Sequence, residues 1–492
     1  MYCESRLDDA IVALNQAWTL TTENIRLEQN AGFQIQETAD GKLRWRLLYD
    51  RSEKLNDSFF RTLPKTEIAD VMMFIGELTG MWHGFTHLKE RYTKRRKPAP
   101  LALNACILSE AFGFGIIKMS EMSDINYSVL RSTHEDFVRI ETLCTANDRV
   151  SNFVNGLSIF KIWDLLDDKL LADADGQKFA TTDSTIQSRY SKKYLGKGRG
   201  ISLYTLIANH VAVNASNLGL NEYEGHCLYD MVYGNKTDID IHSVTGDNHS
   251  LNKINFVALD AIDVHYVPSI KNVREASENL YSTHSIGDFE GPLRPVGTID
   301  AGLIRSQRRG IKHVLLSLVL QENTQSHLIR KLNSHTRYAR LRAALYEYNK
   351  IFKSTHVLNL IDDMHLRKAI RTARNRTESY HQLQRIIRKI YNNVFKGRKI
   401  TDNRVSAHAA RLVANCIVAY NAMILNRVYE QMVSESIPKE IRDKFVRISP
   451  IAWQHLFFTG RYNFKKASKN AIDISALADL LEQHLKQVFW KS

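Results

Sequence analysis

"LLADADGQKFATT", residues 170–182, is where this chain changes character. Upstream, from about 64 to 165, apolar residues recur at helical spacing almost throughout. From Leu170 onward, short segments rich in β-branched or aromatic residues, each bounded by Gly, Asn or Asp, take over at 170–182, 200–214, 237–247 and 262–268. Helix-like stretches at about 218–232 and 249–260 lie between them. Strands interleaved with helices predict an α/β domain with a mixed sheet. From about 301 the pattern is helical again, with long basic helices to roughly 395 and further helices at 402–432 and 471–490. At the other end, about 30 residues of helical pattern precede "FQIQETADGKLRWRLL" (33–48). There, alternation on both sides of Asp40-Gly41 predicts a hairpin.

At 492 residues, with 44% hydrophobic and 24% charged side chains, the chain has room for roughly three domains. Its charge is unevenly spread. Residues 301–400 hold 22 Lys and Arg against five Asp and Glu, a net +17, whereas the whole chain carries +14, so the remainder sums to −3. Such a concentration marks a surface that handles a polyanion. Apolar runs such as "VLLSLVL" (314–320) fall short of the roughly 20 residues a membrane span needs. "MYCESRLDDA" has acids where a secretory leader would be basic and then apolar. Five cysteines (Cys3, Cys106, Cys144, Cys227, Cys416) show no CxxC spacing, which fits a reducing compartment and argues against a cysteine zinc site.

Three acids stand out by context: Asp175 in "DADGQKF", Asp247 in "VTGDNHS" and Glu378 in "NRTESYHQL". Asp175 should sit on or at the end of a strand. Asp247 ends the next strand candidate, where Gly246 permits a change of direction. Two aspartates on neighbouring strands can share one side of a sheet, and hard, magnesium-like ions favour such oxygen ligands. At 100° per residue, Leu383, Ile386, Ile387 and Ile390 form one face of the Glu378 helix. Arg371, Arg374, Glu378, His381, Gln382, Arg385 and Lys389 gather on the other. A carboxylate among bases suits a third metal ligand with a DNA backbone gripped around it. A lone Asp at a strand end is ordinarily a solvated turn residue, and a Glu among Arg ordinarily a surface ion-pair partner. Spacing alone leaves those readings open. The glycines of "GKGRG" (196–200) lack a following GK[ST] and read as a loop before a strand. Trp453 and His455 read as packing residues, with phosphate contact an alternative for His455. The run "KERYTKRRK" (89–97) reads equally as a solvated face or a DNA contact.

The strings around these acids resemble the C-terminal half of the transposases of replicative, cointegrate-forming class II bacterial transposons, the Tn3-type family. "LPKTEIADVMMFIGELTGMWHGFTHL" (63–88) is similar to the family's helical entry, "YSVLRSTHEDFVRIETLCTAND" (127–148) to the segment before its catalytic core, and "SPIAWQHLFFTGRYNF" (449–464) to its C-terminal signature. "DADGQKF" (173–179) resembles the first aspartate motif and "NRTESYHQLQRII" (375–387) the glutamate motif. The second motif departs from the family's Thr-Asp-Thr core. Counting back from "YVPSI" (266–270) selects Asp247, with Asp230 in "LYDMVY" as the rival.

The resemblance implies a DDE-type DNA transposase for double-stranded transposon ends and target DNA. It implies a catalytic triad of Asp175, Asp247 and Glu378 holding two Mg²⁺, with Mn²⁺ able to substitute. The three carboxylates would then approach within about 8 Å in the DNA-bound state, and the glutamate helix would be free to shift without metal. His249 and His381 would stand beside the ligands or touch substrate. Homodimeric synapsis and a cytoplasmic, nucleoid-associated setting without a membrane are implied too. The implied fold is α/β plus all-α. It comprises an N-terminal helix and hairpin (1–62), a helical scaffold domain (63–165) and a ribonuclease-H-like mixed-sheet core (166–270 and 371–400). A basic helical insertion (271–370) and a C-terminal helical region (401–492) complete it. Arg305, Arg308, Arg309, Arg330 and Arg337 in the insertion, with Arg371, Arg374, His381, Arg385 and Lys389 on the glutamate helix, are the expected DNA contacts. Nothing here resembles the family's end-recognition region, so a truncated copy is expected. A catalytically silent DNA-binding regulator is the alternative, and a helical structural protein with a basic surface for RNA or lipid is a further one.

Overall fold

The computed structural model describes residues 4–37, 43–48, 59–92, 94, 96–167, 169–467 and 472–489. Helix α1 (Glu4–Arg26) buries Leu7, Leu14 and Trp18, which recur at helical spacing. Strands β1 (Phe33–Glu37) and β2 (Leu43–Leu47) pair antiparallel, Phe33 opposite Leu47, as the alternation predicts. The Asp40-Gly41 turn lies outside the described residues. A two-residue strand β3 (Thr66–Glu67) precedes helices α2 (Ile68–Thr79), α3 (Pro100–Phe112), α4 (Gly115–Met122), α5 (Tyr127–Phe137), α6 (Ile140–Asn155) and α7 (Ser158–Ile162). Pro64 does not open α2, because the residues after it form β3. Pro100 does open α3, where its fixed φ suits the first turn.

The sheet follows. Its strands are β4 (Leu171–Thr181), β5 (Arg189–Tyr190), β6 (Arg199–Ala208), β7 (Val211–Gly219), β8 (Ser243–Gly246) and β9 (His265–Tyr266), with short helices α8 (Lys192–Leu195), α9 (Leu228–Tyr233) and α10 (Asn255–Asp260) between them. The order is β7-β6-β4-β8-β9, with β5 continuing the β7 edge of β6. β4, β6 and β7 are antiparallel neighbours, while β4, β8 and β9 run parallel. The predicted strand 200–214 is therefore two strands, and the predicted helix at 218–232 shrinks to α9. The turn between β6 and β7 falls at Asn209, whose φ of 52° is left-handed, a conformation that asparagine tolerates better than most residues. The predicted strand 237–247 also shortens, to β8.

Beyond the sheet come α11 (Val273–Ser277), a parallel pair β10 (Tyr281–Ser282) and β11 (Gly297–Thr298), and helices α12 (Ala301–Ser306), α13 (Arg308–Val319), α14 (Gln325–Ser334) and α15 (Ala339–Asp362). α15 lies against α1 and α10, so the start of the chain docks on the segment between Asp247 and Glu378. The Asn24 amide donates to Asp362 at 2.8 Å and Trp18 Nε1 to the Tyr281 carbonyl at 3.0 Å across this junction.

Helix α16 (Met364–Lys389) covers β4 and β8, and β12 (Val394–Phe395) pairs with the far end of β4. Helix α17 (Ile400–Ser434) is apolar and long enough to cross a membrane by composition, yet 94% of its most apolar window is buried inside this molecule. It packs against α2, α3, α6, α7, α16 and β7, joining the early helices and the sheet in one contiguous apolar core. The chain closes with α18 (Lys439–Phe445), β13 (Leu456–Phe457), α19 (Phe464–Ala467) and α20 (Ile474–Phe489). β13 pairs with β3, and the fully buried His455 ring stacks between Phe60 and Tyr420, which favours the packing role over phosphate contact.

Candidate active site

On a strand, alternate residues share a face, and on β4 that face carries Asp173, Asp175 and Gln177. Asp175 is the fifth of eleven residues, mid-strand and not at an end. β8 runs parallel to β4 with Asp173 opposite Thr245 and Ala174 opposite Gly246. One further step in that register sets Asp247 opposite Asp175 on the same face. β8 stops at Gly246, and β12 joins β4 only at Ala180. Residues 175–179 therefore have no strand neighbour on that side among the described residues. A crevice opens where a parallel strand ends, the usual ligand position on such sheets.

α16 forms the wall of this crevice. Its Arg374 guanidinium lies 3.9 Å from both Asp173 and Asp175. Further along, the Gln177 amide donates to the His381 carbonyl at 2.9 Å. Asp175 is thus level with the helical turn between these two contacts, and Glu378 is in that turn. Four residues past Arg374, Glu378 projects about 40° from it on the same helix face. Glu378 is exposed. Among the described residues, no three His, Cys, Asp or Glu side chains are gathered closely enough to hold an ion as placed.

Asp173, unassigned in the sequence, is 1% exposed, with Thr377 of α16 and the Arg374 guanidinium beside its carboxylate. Burial raises its pKa, against the pull of the Arg374 cation. Asp175 is pushed up to about 7, first by burial and then by the like charges of Asp173 and Asp247. Three acids with one half-buried arginine form an electron-rich pocket short of positive charge. Carboxylate oxygens of this kind fit a hard divalent cation by donor type. The pair "DAD" was the available signal for Asp173, since two residues of spacing on a strand means a shared face.

Other expected positions divide. Asp230, the rival second aspartate, sits on α9 and accepts the backbone N–H of Gln325 at the start of α14. Burial raises it to about 6. It joins core to helix and does not face β4's acids. His381 is a correction: its ring is 4% exposed and its pKa is lowered to about 3 by burial, because this stretch of the polar helix face rests on the sheet. It offers no surface to a DNA backbone. Arg374 likewise faces the carboxylates, not outward. Arg308, Arg309, Arg330, Arg337, Arg371, Arg385 and Lys389 are exposed, as a phosphate-contacting role requires. Arg305 is exposed as well, paired with Asp8 at 2.7 Å. "GKGRG" forms the turn from α8 into β6, as expected for a loop before a strand.

A mixed sheet with acids at the end of a parallel strand and a helix bearing a further carboxylate defines an α/β domain with an acidic, cation-seeking crevice. The sequence profile of the Tn3 transposase DDE domain matches residues 70–462, and the chain belongs to that family. It is similar to the transposase for transposon Tn501 of Pseudomonas aeruginosa (25% identical over 428 residues, 85% of this chain and 42% of that protein). It is also similar to the transposase for transposon gamma-delta of Escherichia coli (strain K12), at 26% over 420 residues, covering 84% and 41%. A third relative, the transposase for transposon Tn1546 of Enterococcus faecium, is 22% identical over 436 residues, covering 88% and 43%. The chain spans about two-fifths of the length of these relatives. Membership of the family implies a ribonuclease-H-like fold and dependence on divalent metal in general terms.

Proposed function

We propose that this chain cleaves and joins DNA strands at transposon ends, with Asp175, Asp247 and Glu378 as its acidic triad. The observation that supports this reading is the β4–β8 register, which ends with Ala174 opposite Gly246, so that Asp175 and Asp247 are the next residues of the two strands beside α16. Two Mg²⁺ ions would be held by the oxygens of Asp175 and Asp247, completed by Glu378. Activation of the attacking oxygen and relief of charge at the leaving 3′ oxygen are the chemistry such ions supply. Arg374 holds the aspartates together electrostatically. The exposed bases of α13, α14 and α16 fix the duplex by its backbone. Residues 271–370 act as a helical insertion in a ribonuclease-H-like core, behind a helical scaffold formed by 63–165. Action on chromosomal and transposon DNA as a homodimer would place the protein at the nucleoid.

The test is a strand-transfer assay on oligonucleotide transposon ends with Mg²⁺ or Mn²⁺, comparing wild type with Asp175→Asn and Asp247→Asn. Products from wild type alone support the reading. Equal, background-level products from all three proteins would overturn it in favour of a DNA-binding regulator.

A further inference from the structure

Past the acidic crevice, the ends of β4 and β6 are joined by residues 182–198, and the connection with its flanks forms a tip over 184–200. This tip holds five Lys and Arg (Arg189, Lys192, Lys193, Lys197, Arg199) and no acid, and no acid follows until Glu222. All five are exposed. Interleaved with them are Tyr190 at 52% exposure, Tyr194 at 41% and Ile186 at 73%. Large apolar side chains normally pack inward. Three in one short basic tip are better explained by what they meet than by the fold they support.

The tip is also built. Thr185 and Ser188 cap each other, each backbone N–H donating to the other's hydroxyl at 3.2 Å. β5 pairs with β6, and the Asn221 amide donates to the Tyr190 carbonyl at 3.0 Å. Arg199 donates to Ser184 across the base. The backbone under both tyrosines is therefore fixed, while the rings remain outside. Lys193 Nζ stands 4.8 Å and Lys178 Nζ 5.5 Å from the Tyr194 ring. Lys178 lies three residues along β4 from Asp175, about 10 Å at strand rise. Its side chain is on the face of β4 opposite the acids, where it pairs with Glu224.

We infer that the 184–200 tip is a binding site for an unpaired DNA strand, in which Tyr190 and Tyr194 stack on bases while the five cations track the phosphates. Interleaved rings and cations are what single-strand sites use, because every base presents a π-face. A duplex hides its bases and would need only the cations. That the strand is one exposed during the reaction rests on the proposed function, but strand binding by the tip does not.

Fluorescence anisotropy with an oligothymidylate and with a duplex of equal length tests it. Tyr190→Ala/Tyr194→Ala should weaken single-strand binding about tenfold or more while leaving duplex affinity within about twofold. Tyr190→Phe/Tyr194→Phe should bind the single strand like wild type. Lys192→Gln/Lys193→Gln/Lys197→Gln should weaken both and flatten the salt dependence. Unchanged single-strand affinity in the Ala pair, or an equal loss for duplex, overturns the inference. So does a loss confined to anionic phosphatidylserine vesicles, which would make the tip a membrane contact. Asp175→Asn should bind the oligothymidylate as wild type does. A wild type inactive in strand transfer that still shows the tyrosine dependence would sink the proposed activity alone.

Discussion

The two faces of strand β4 treat carboxylates in opposite ways. On the face toward α16, Asp173, Asp175 and the neighbouring Asp247 repel one another, with Arg374 3.9 Å from the first two. On the other face a single buried acid, Glu224, takes Lys178 as an ion-pair partner and accepts the Ser202 hydroxyl at 2.8 Å. Gly176 lies beneath it, and a Cβ there would overlap the Glu224 carboxylate. Lys178 and Glu224 form a satisfied pair that serves the fold. The acids facing α16 share one arginine among like charges that raise the Asp175 pKa, and perturbed groups of this kind mark places where something else is to bind.

Breaking each face should therefore give different phenotypes. The largest effect is expected for Asp175→Asn, which should lower strand transfer more than about 100-fold while the fold is kept, as checked by circular dichroism. On the opposite face, Lys178→Met strands a buried Glu224 and should cost about 3 kcal/mol in denaturant unfolding, much of it recovered by adding Glu224→Gln. Gly176→Ala should cost about 1–3 kcal/mol by the same measurement, since Glu224 must be pushed aside. Mn²⁺ should raise the melting temperature by about 2–4 °C in wild type and not in Asp175→Asn.

A further expectation concerns pH. The folded Asp175 holds its proton to about pH 7, whereas the unfolded carboxyl releases it near pH 3.8. Between these values the folded state binds more protons, so metal-free stability should fall as pH rises from about 4 to about 7. Asp175→Asn should flatten that slope in melts recorded across the range, and an unchanged slope would place the titrating charge elsewhere.

Much of this contrast was legible in the sequence, and the gaps have physical causes. Asp175 and Glu378 were singled out by their local strings, and Asp247 by counting back from the strand that follows it. Asp173 was passed over although its spacing from Asp175 places both on one strand face. The β6–β7 turn was missed because Asn209 makes it without glycine. His381 was misjudged because a helical wheel shows which residues share a face and not what covers that face. α17 was recognised as a helix, but its central position was not, since burial on every side depends on partners hundreds of residues away.

That central helix has a consequence for how the molecule opens. At 1.5 Å per residue its 35 residues run about 50 Å, and from Ser406 to Ala422 every side chain is buried. Amide hydrogens there have no local route to solvent, so deuterium should enter them only when the whole chain comes apart. α17 is thus an internal gauge of global unfolding, against which fraying of any outlying loop can be timed.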